Sequence, residues 1–339
     1  MDPSQPPPFP PYPPAGAPPV GPYPLPPGYG VPVLPYGAYF QPDPAPPRVW
    51  TVFVAFAVAF IPGCIAMGMV AAVLAVILHG PEIFSQADGG PERFQALMRE
   101  PAIFLPTLVA MQVVLAAVAL GAAYLSPEPM RRRLRLGKPR LPWYGYPVVC
   151  VGSLALGYSA GVLIELLGFG NQGTLHEFEQ AINGMRGYVL VLAAAVVGIS
   201  PGIGEELMFR GYIQTRLAQR WPRLLAVGMT ALLFALLHMD LVQSTFALAM
   251  GLWLGEVADR TGSIWPAAAG HAFNNGVATV GAALLPNIDT GHALAVSLPV
   301  FALCLVYVLC RKVVPPEEPV VVVQGLMPPA AQLNLKSEI

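Results

Sequence analysis

Apolar stretches at 49–77, 103–125, 143–167, 188–205 and beyond, 224–239, 241–257, 264–285 and 294–310 alternate with shorter polar segments. Most approach the ~20 residues a helix needs to cross a bilayer. The segment 79–101 carries Glu82, Asp88, Glu92, Arg93, Arg99 and Glu100, and 168–186 is also polar, so both are expected outside the bilayer. Basic residues gather after the second, fourth and eighth stretches: Arg131, Arg132, Arg133, Arg135, Lys138 and Arg140, then Arg216, Arg220 and Arg223, then Arg311 and Lys312. Eight crossings put all these clusters on one side, which the positive-inside rule makes the cytosol. The expectation is an all-α, polytopic transmembrane helical bundle of about eight spans. It would be a multi-pass protein of the cytoplasmic membrane with both termini cytosolic.

Composition supports that reading. Hydrophobic residues make up 55% of the 339 and charged residues 11%, against about 25% charged in ordinary soluble domains. Mean hydropathy is +0.58. A net charge of −1 gives no basis for nucleic-acid binding. Cys64, Cys150, Cys304 and Cys310 lie in or beside apolar runs without metal spacing, so they read as reduced and structural. Residues 1–47 are dense in proline and lack Lys, Arg and an apolar leader core, which reads as a disordered cytosolic tail of polyproline-II bias. The transmembrane domain is then 48–312, and 313–339 form a second cytosolic tail behind Pro315 and Pro316.

The costly residues lie inside the apolar part. Gly202-Ile203-Gly204-Glu205-Glu206-Leu207-Met208-Phe209-Arg210-Gly211 places two carboxylates and a guanidinium in or beside a span, where each costs about 2.5–3.5 kcal/mol at mid-bilayer. Groups that receive them are expected nearby. Phe234 and His238 are four residues apart, as are His271 and Asn275, and Glu206 and Arg210. Such pairs share a helix face. Glu206 is therefore expected to pair with Arg210, while Glu205, ~100° round the helix, is freer to address a water or metal. A simple rise places His271 ~10 Å into its span and His238 ~21 Å along its own, so their meeting requires tilt or a later start.

These residue types suit hydrolysis. A glutamate in an apolar cavity can act as general base on a water near neutral pH. His238, His271 and Glu205 are ligand types of a hydrolytic site for a divalent metal such as Zn2+. A histidine and an asparagine could instead donate to a tetrahedral oxyanion without metal. There is no His-Glu-x-x-His arrangement. Blander readings stand beside these: solvated glutamates at a helix start, a hydrogen-bonded interior His238, and His271 with Asn275 as interhelical glue. A non-catalytic membrane scaffold or immunity-type binding protein, and a proton-coupled transporter, are the alternative functions.

Glu205-Glu206-x-x-x-Arg210, Phe234-x-x-x-His238 and His271-x-x-x-Asn275, in this order between Gly202 and Gly276, resemble the CPBP family. This family contains type II CAAX prenyl endopeptidases and bacteriocin-processing or Abi membrane proteases. The Phe209-Arg210-Gly211 ending of the first motif is intact. The resemblance implies an eight-helix intramembrane protease whose motif core is 202–276 and whose cavity opens to the cytosol. It implies that Glu205 activates water, and that His238 and Asn275 stabilise the oxyanion or help bind metal. Glu206, Arg210 and His271 would support or ligate, with Phe209 and Phe234 alongside. The substrate would be a membrane-associated protein or peptide, a prenylated C-terminus being one option.

Overall fold

Each of the eight apolar stretches forms a helix. The computed structural model describes residues 48–84, 90–126, 128–170, 173–284 and 290–313. The readings for the proline-rich segment 1–47 and for 314–339 lie outside these residues. Long helices are α1 (Trp50–His79), α3 (Pro101–Tyr124), α5 (Gly145–Leu166), α7 (Gly187–Glu206), α9 (Arg223–Leu236), α10 (Leu241–Thr261), α11 (Trp265–Leu284) and α12 (Thr290–Leu309). α7 continues through a π-helical segment, Leu207–Ile213, into α8 (Gln214–Ala218). Among the described residues there is no strand.

Five of these are long and apolar enough to cross a membrane: α1, α3, α5, the continuous Gly187–Ala218 and α10. Of the others, α9 has only 14 residues and the apolar part of α12 is Leu294–Leu309. α11 has 20 residues, but His271, Asn274 and Asn275 dilute its hydropathy. Large apolar side chains such as Ile77, Val191 and Leu303 are turned outward, as a lipid solvent allows.

The segments between the long helices also carry short helices, α2 (Gly90–Met98), α4 (Met130–Arg133) and α6 (Gly173–Ile182). In α6, Phe178, Ala181 and Ile182 share one face; buried Ile182, with Phe178 beside it, packs in the cluster containing Leu105 and Leu190.

α7 packs most extensively against α11. Gly198 and Gly202, four apart on α7, permit this: a Cβ at Gly198 would lie 2.7 Å from Ala272 O, and one at Gly202 3.0 Å from Ala268 O. Small residues at this spacing let membrane helices touch backbone to backbone, without which side chains could not cross the seam. α3 closes on the other side of α7, α5 backs α11, and α10 backs α9.

An ionic belt ties one end of the bundle. Asp259 at the end of α10 accepts from Arg135 Nη1 at 2.7 Å and from Gln214 Nε2 at 2.7 Å, and it pairs with Arg223 Nε at 3.2 Å. Glu256 pairs with Arg223 and Arg260, so it belongs to this belt. Arg133 is buried, donates to Gln219 Oε1 at 3.2 Å and lies over the Tyr212 ring. Burial pulls its guanidinium below the ordinary value. The arginine run read as a loop signal thus sends two members inward as structural groups. The opposite end is joined by His79–Glu100, Gln95–Glu177 and Thr174–Gln243 contacts.

Candidate active site

The two adjacent glutamates diverge as helix geometry requires, and both are buried. Glu206 Oε1 accepts from Arg210 Nη1 at 2.6 Å, and His271 Nδ1 lies 2.9 Å from the same oxygen. Glu205 turns toward α3, where Gln112 Nε2 donates to its Oε1 at 2.9 Å. Its other oxygen, Oε2, is 3.7 Å from His271 Nε2. One imidazole therefore spans both carboxylates. Gly204 allows the α3 approach, since a Cβ there would lie 2.7 Å from Gln112 Oε1 and 2.8 Å from Gln112 O.

Arg210 is fully buried within the π segment. Besides Glu206 it reaches Gly251 O on α10 at 3.3 Å, and its guanidinium lies 4.5 Å from the centroid of the Phe234 ring. Phe209 is also fully buried. Its ring meets Phe56 of α1 at 6.3 Å and Phe234 at 5.2 Å. Phe234 is the hub of this aromatic layer, because His238 and His271 both stand edge-on to it, at 5.4 and 5.9 Å. The depth difference anticipated for the two histidines is closed by this shared ring.

His238 differs from the sequence expectation in one respect. It lies in the turn after α9 rather than within the helix, half-buried, with Nδ1 3.1 Å from Phe234 O. A histidine past a helix end commonly serves its last carbonyls, and Ser244 Oγ donates to Ala235 O at 2.8 Å beside it. The next residue, Met239, has φ 51°, a left-handed conformation uncommon outside glycine.

Asn275 is half-buried and donates to Val197 O at 3.4 Å. Pro201 lies four residues beyond Val197 within α7 and has no N–H for that carbonyl. The amide of Asn275 supplies it across the seam. Its neighbour Asn274 donates to Asn275 Oδ1 at 3.0 Å, which orients the amide.

Among the described residues no group of three or more His, Cys, Asp or Glu side chains is arranged to hold a metal ion. Glu205 and His271 are neighbours, whereas His238 stands across Phe234 and faces its own helix. The donor types suit zinc, but this arrangement does not fit it. Gln112 escaped the sequence reading. The available signal was a lone amide in an apolar span, which needs a polar partner in lipid. It sits at the floor of a groove of about 460 Å3 between α3 and α7, lined also by Val109, Val113, Ile199, Ser200 and Gly204.

Glu205, Glu206, Arg210 and His271 thus form one buried polar cluster inside the helical bundle. Residues 187–277, which contain these residues but not Gln112, match the family described as type II CAAX prenyl endopeptidase Rce1-like. The match covers this segment, a little over a quarter of the chain, and is to a family of CAAX-type membrane endopeptidases. No curated protein and no solved structure matches the chain.

Proposed function

We propose that the chain cleaves a peptide bond of a membrane-associated protein or peptide, with Glu205 taking the proton from the attacking water. The match of residues 187–277 to the type II CAAX prenyl endopeptidase family supports the reaction class. The observation that carries the residue assignment is the unequal treatment of the two carboxylates. Glu206 is bonded to Arg210, while Glu205 has an amide donor and an imidazole beside it. Glu205 is thus the carboxylate left to exchange a proton.

Water adds to the scissile carbonyl carbon as Glu205 accepts its proton. The oxyanion then collapses, the C–N bond breaks, and the proton passes to the leaving nitrogen. His271 is suited to carry that proton. With Nδ1–H donated to Glu206, its Nε2 faces Glu205, so Glu206 and Arg210 act by fixing the imidazole's tautomer and orientation. His238, with Nδ1 on a carbonyl, donates from Nε2 to an oxyanion only as imidazolium. Asn275 keeps a second amide N–H, besides the one given to Val197 O, to offer an oxyanion.

A metal-free glutamate mechanism is the reading favoured here. If zinc is required, His238 Nε2 is the nitrogen free to join Glu205 and His271, with Nδ1 kept on Phe234 O. The eight long helices would cross the bilayer with the basic belt on the cytosolic side. Lipid-modified C-termini are the substrate class to test first, because the family description names them.

Glu205→Gln keeps an oxygen for Gln112 to donate to and removes the base. Comparative membrane proteomics of cells carrying the native or Glu205→Gln protein should yield peptide termini produced only by the native form. The purified variant should lose turnover by about 10²–10⁴-fold with its melting temperature unchanged. Full turnover by this variant would refute the assignment, and loss of native activity to a chelator with recovery on added zinc would refute the metal-free route.

A further inference from the structure

Away from the glutamates, a second cavity of about 590 Å3 opens at the belt end, lined by Arg140, Arg260, Tyr307, Cys310, Arg311, Lys312 and Val313. Three separate segments build it. Arg140 precedes α5 and its backbone N–H donates to Thr261 O at 2.8 Å, which fixes this loop to the end of α10. Arg260, in the last turn of α10, donates to the carbonyls of Leu309 and Arg311 and so holds the end of α12 against it. Arg311 lies over the Tyr307 ring at 4.5 Å and donates to its hydroxyl at 2.5 Å.

The charge of this cavity is lopsided. Four cations line it, and among the described residues no carboxylate does. Glu256 engages Arg260 from outside the lining. Arg311 Nε is buried without a hydrogen-bond partner among the described residues. Cations gathered against a protein wall attract an anion, and those with spare N–H groups can bond its oxygens.

The surroundings select the kind of anion. Leu303 and Val306 of α12, 72% and 57% exposed, form an outward apolar strip that runs directly into the basic rim. Acyl chains along that strip would bring a headgroup to the cations, and basic recesses at helix ends favour anionic lipids. We propose that this cavity binds the phosphate ester of an anionic phospholipid, with Arg140, Arg311 and Lys312 as its contacts. The site is independent of the proteolytic reading.

Free inorganic phosphate shares the recognised chemistry, so the test separates the two sources. The full-length protein is placed in phosphatidylcholine nanodiscs containing graded phosphatidylglycerol, and retained lipid is measured by native mass spectrometry. The comparison is Arg140→Ala/Lys312→Ala, since neither side chain serves the helix packing, with Arg140→Lys/Lys312→Arg as the charge-preserving control. Native protein should retain phosphatidylglycerol over phosphatidylcholine, the double alanine variant should retain it about fivefold less per cation removed, and the control should match native. Millimolar inorganic phosphate should not displace the lipid. Displacement by phosphate would assign the cavity to the free ion and overturn the lipid. Equal retention by native and double alanine protein, or no preference over phosphatidylcholine, would overturn the site. If the alanine variant fails to fold, loss of the lipid preference in Lys312→Gln alone decides the matter, and its persistence overturns the site.

Discussion

Asn275 on α11 donates its side-chain amide to the Val197 carbonyl on α7, an acceptor left open because Pro201 has no N–H. A proline within a membrane helix is tolerated when a neighbour satisfies the freed group. The bond gives Asn275 a structural task in addition to any part it takes in catalysis, and the two can be separated.

Asn275→Ala should destabilise the protein by about 1–3 kcal/mol, the usual effect of stranding a buried acceptor. In a Pro201→Ala background the helix supplies its own N–H to Val197, so the same change should cost much less. Thermal unfolding of the four proteins in one detergent measures the coupling. Equal losses in both backgrounds would show that Val197 is not what Asn275 serves. Activity still missing from the stabilised double variant would assign Asn275 to the chemistry.

Arg210→Ala leaves Glu206 charged and buried without its cation, at a cost of about 3–5 kcal/mol. Arg210→Lys should fall between, because one ammonium cannot reproduce the fork that meets both Glu206 and Gly251. Yield and melting temperature should rank native, Lys, Ala; parity of Lys with native would contradict the two-pronged role.

Gln112→Leu removes the donor on Glu205 without changing charge. A hydrogen bond to a charged group contributes about 1.5–3 kcal/mol, so kcat should drop roughly ten- to a hundredfold with KM little changed. Steady-state cleavage of one reporter by both proteins tests this. A rise in KM alone would mean that Gln112 contacts substrate rather than positioning Glu205.

Gly198→Ala should be worse tolerated than Gly202→Ala. The first puts a methyl 2.7 Å from a backbone oxygen, while the second meets its nearest atoms at 3.0 Å. Overpacking of this kind costs about 1–3 kcal/mol, and separation of α7 from α11 would also pull His271 away from both glutamates. The melting temperatures of the two variants give the order.

Helix positions were legible because long apolar runs in lipid leave the backbone few alternatives. The Glu206–Arg210 pairing was legible because both residues lie on one helix and are four apart. Legibility failed where tertiary contacts decide. Leu237 prolongs the apolar run past the end of α9, so the pattern places His238 inside the helix, and nothing local announces the left-handed Met239. The π winding of Leu207–Ile213 leaves no mark in a 3.6-residue pattern. Arg133 and Arg135 read only as part of a cytosolic basic cluster, because Tyr212 and Asp259, which receive them, are far along the chain. Gln112 belongs to no motif, although it is the residue that meets Glu205 from α3.

The glycine seam also fixes direction. Backbones that touch leave no passage between α7 and α11, so nothing the width of a polypeptide arrives at Glu205 from there. The α3 flank is different, with a furrow open sideways toward lipid and an amide at its base. Gln112 lines that furrow, and Glu205, which does not, is held by the Gln112 amide.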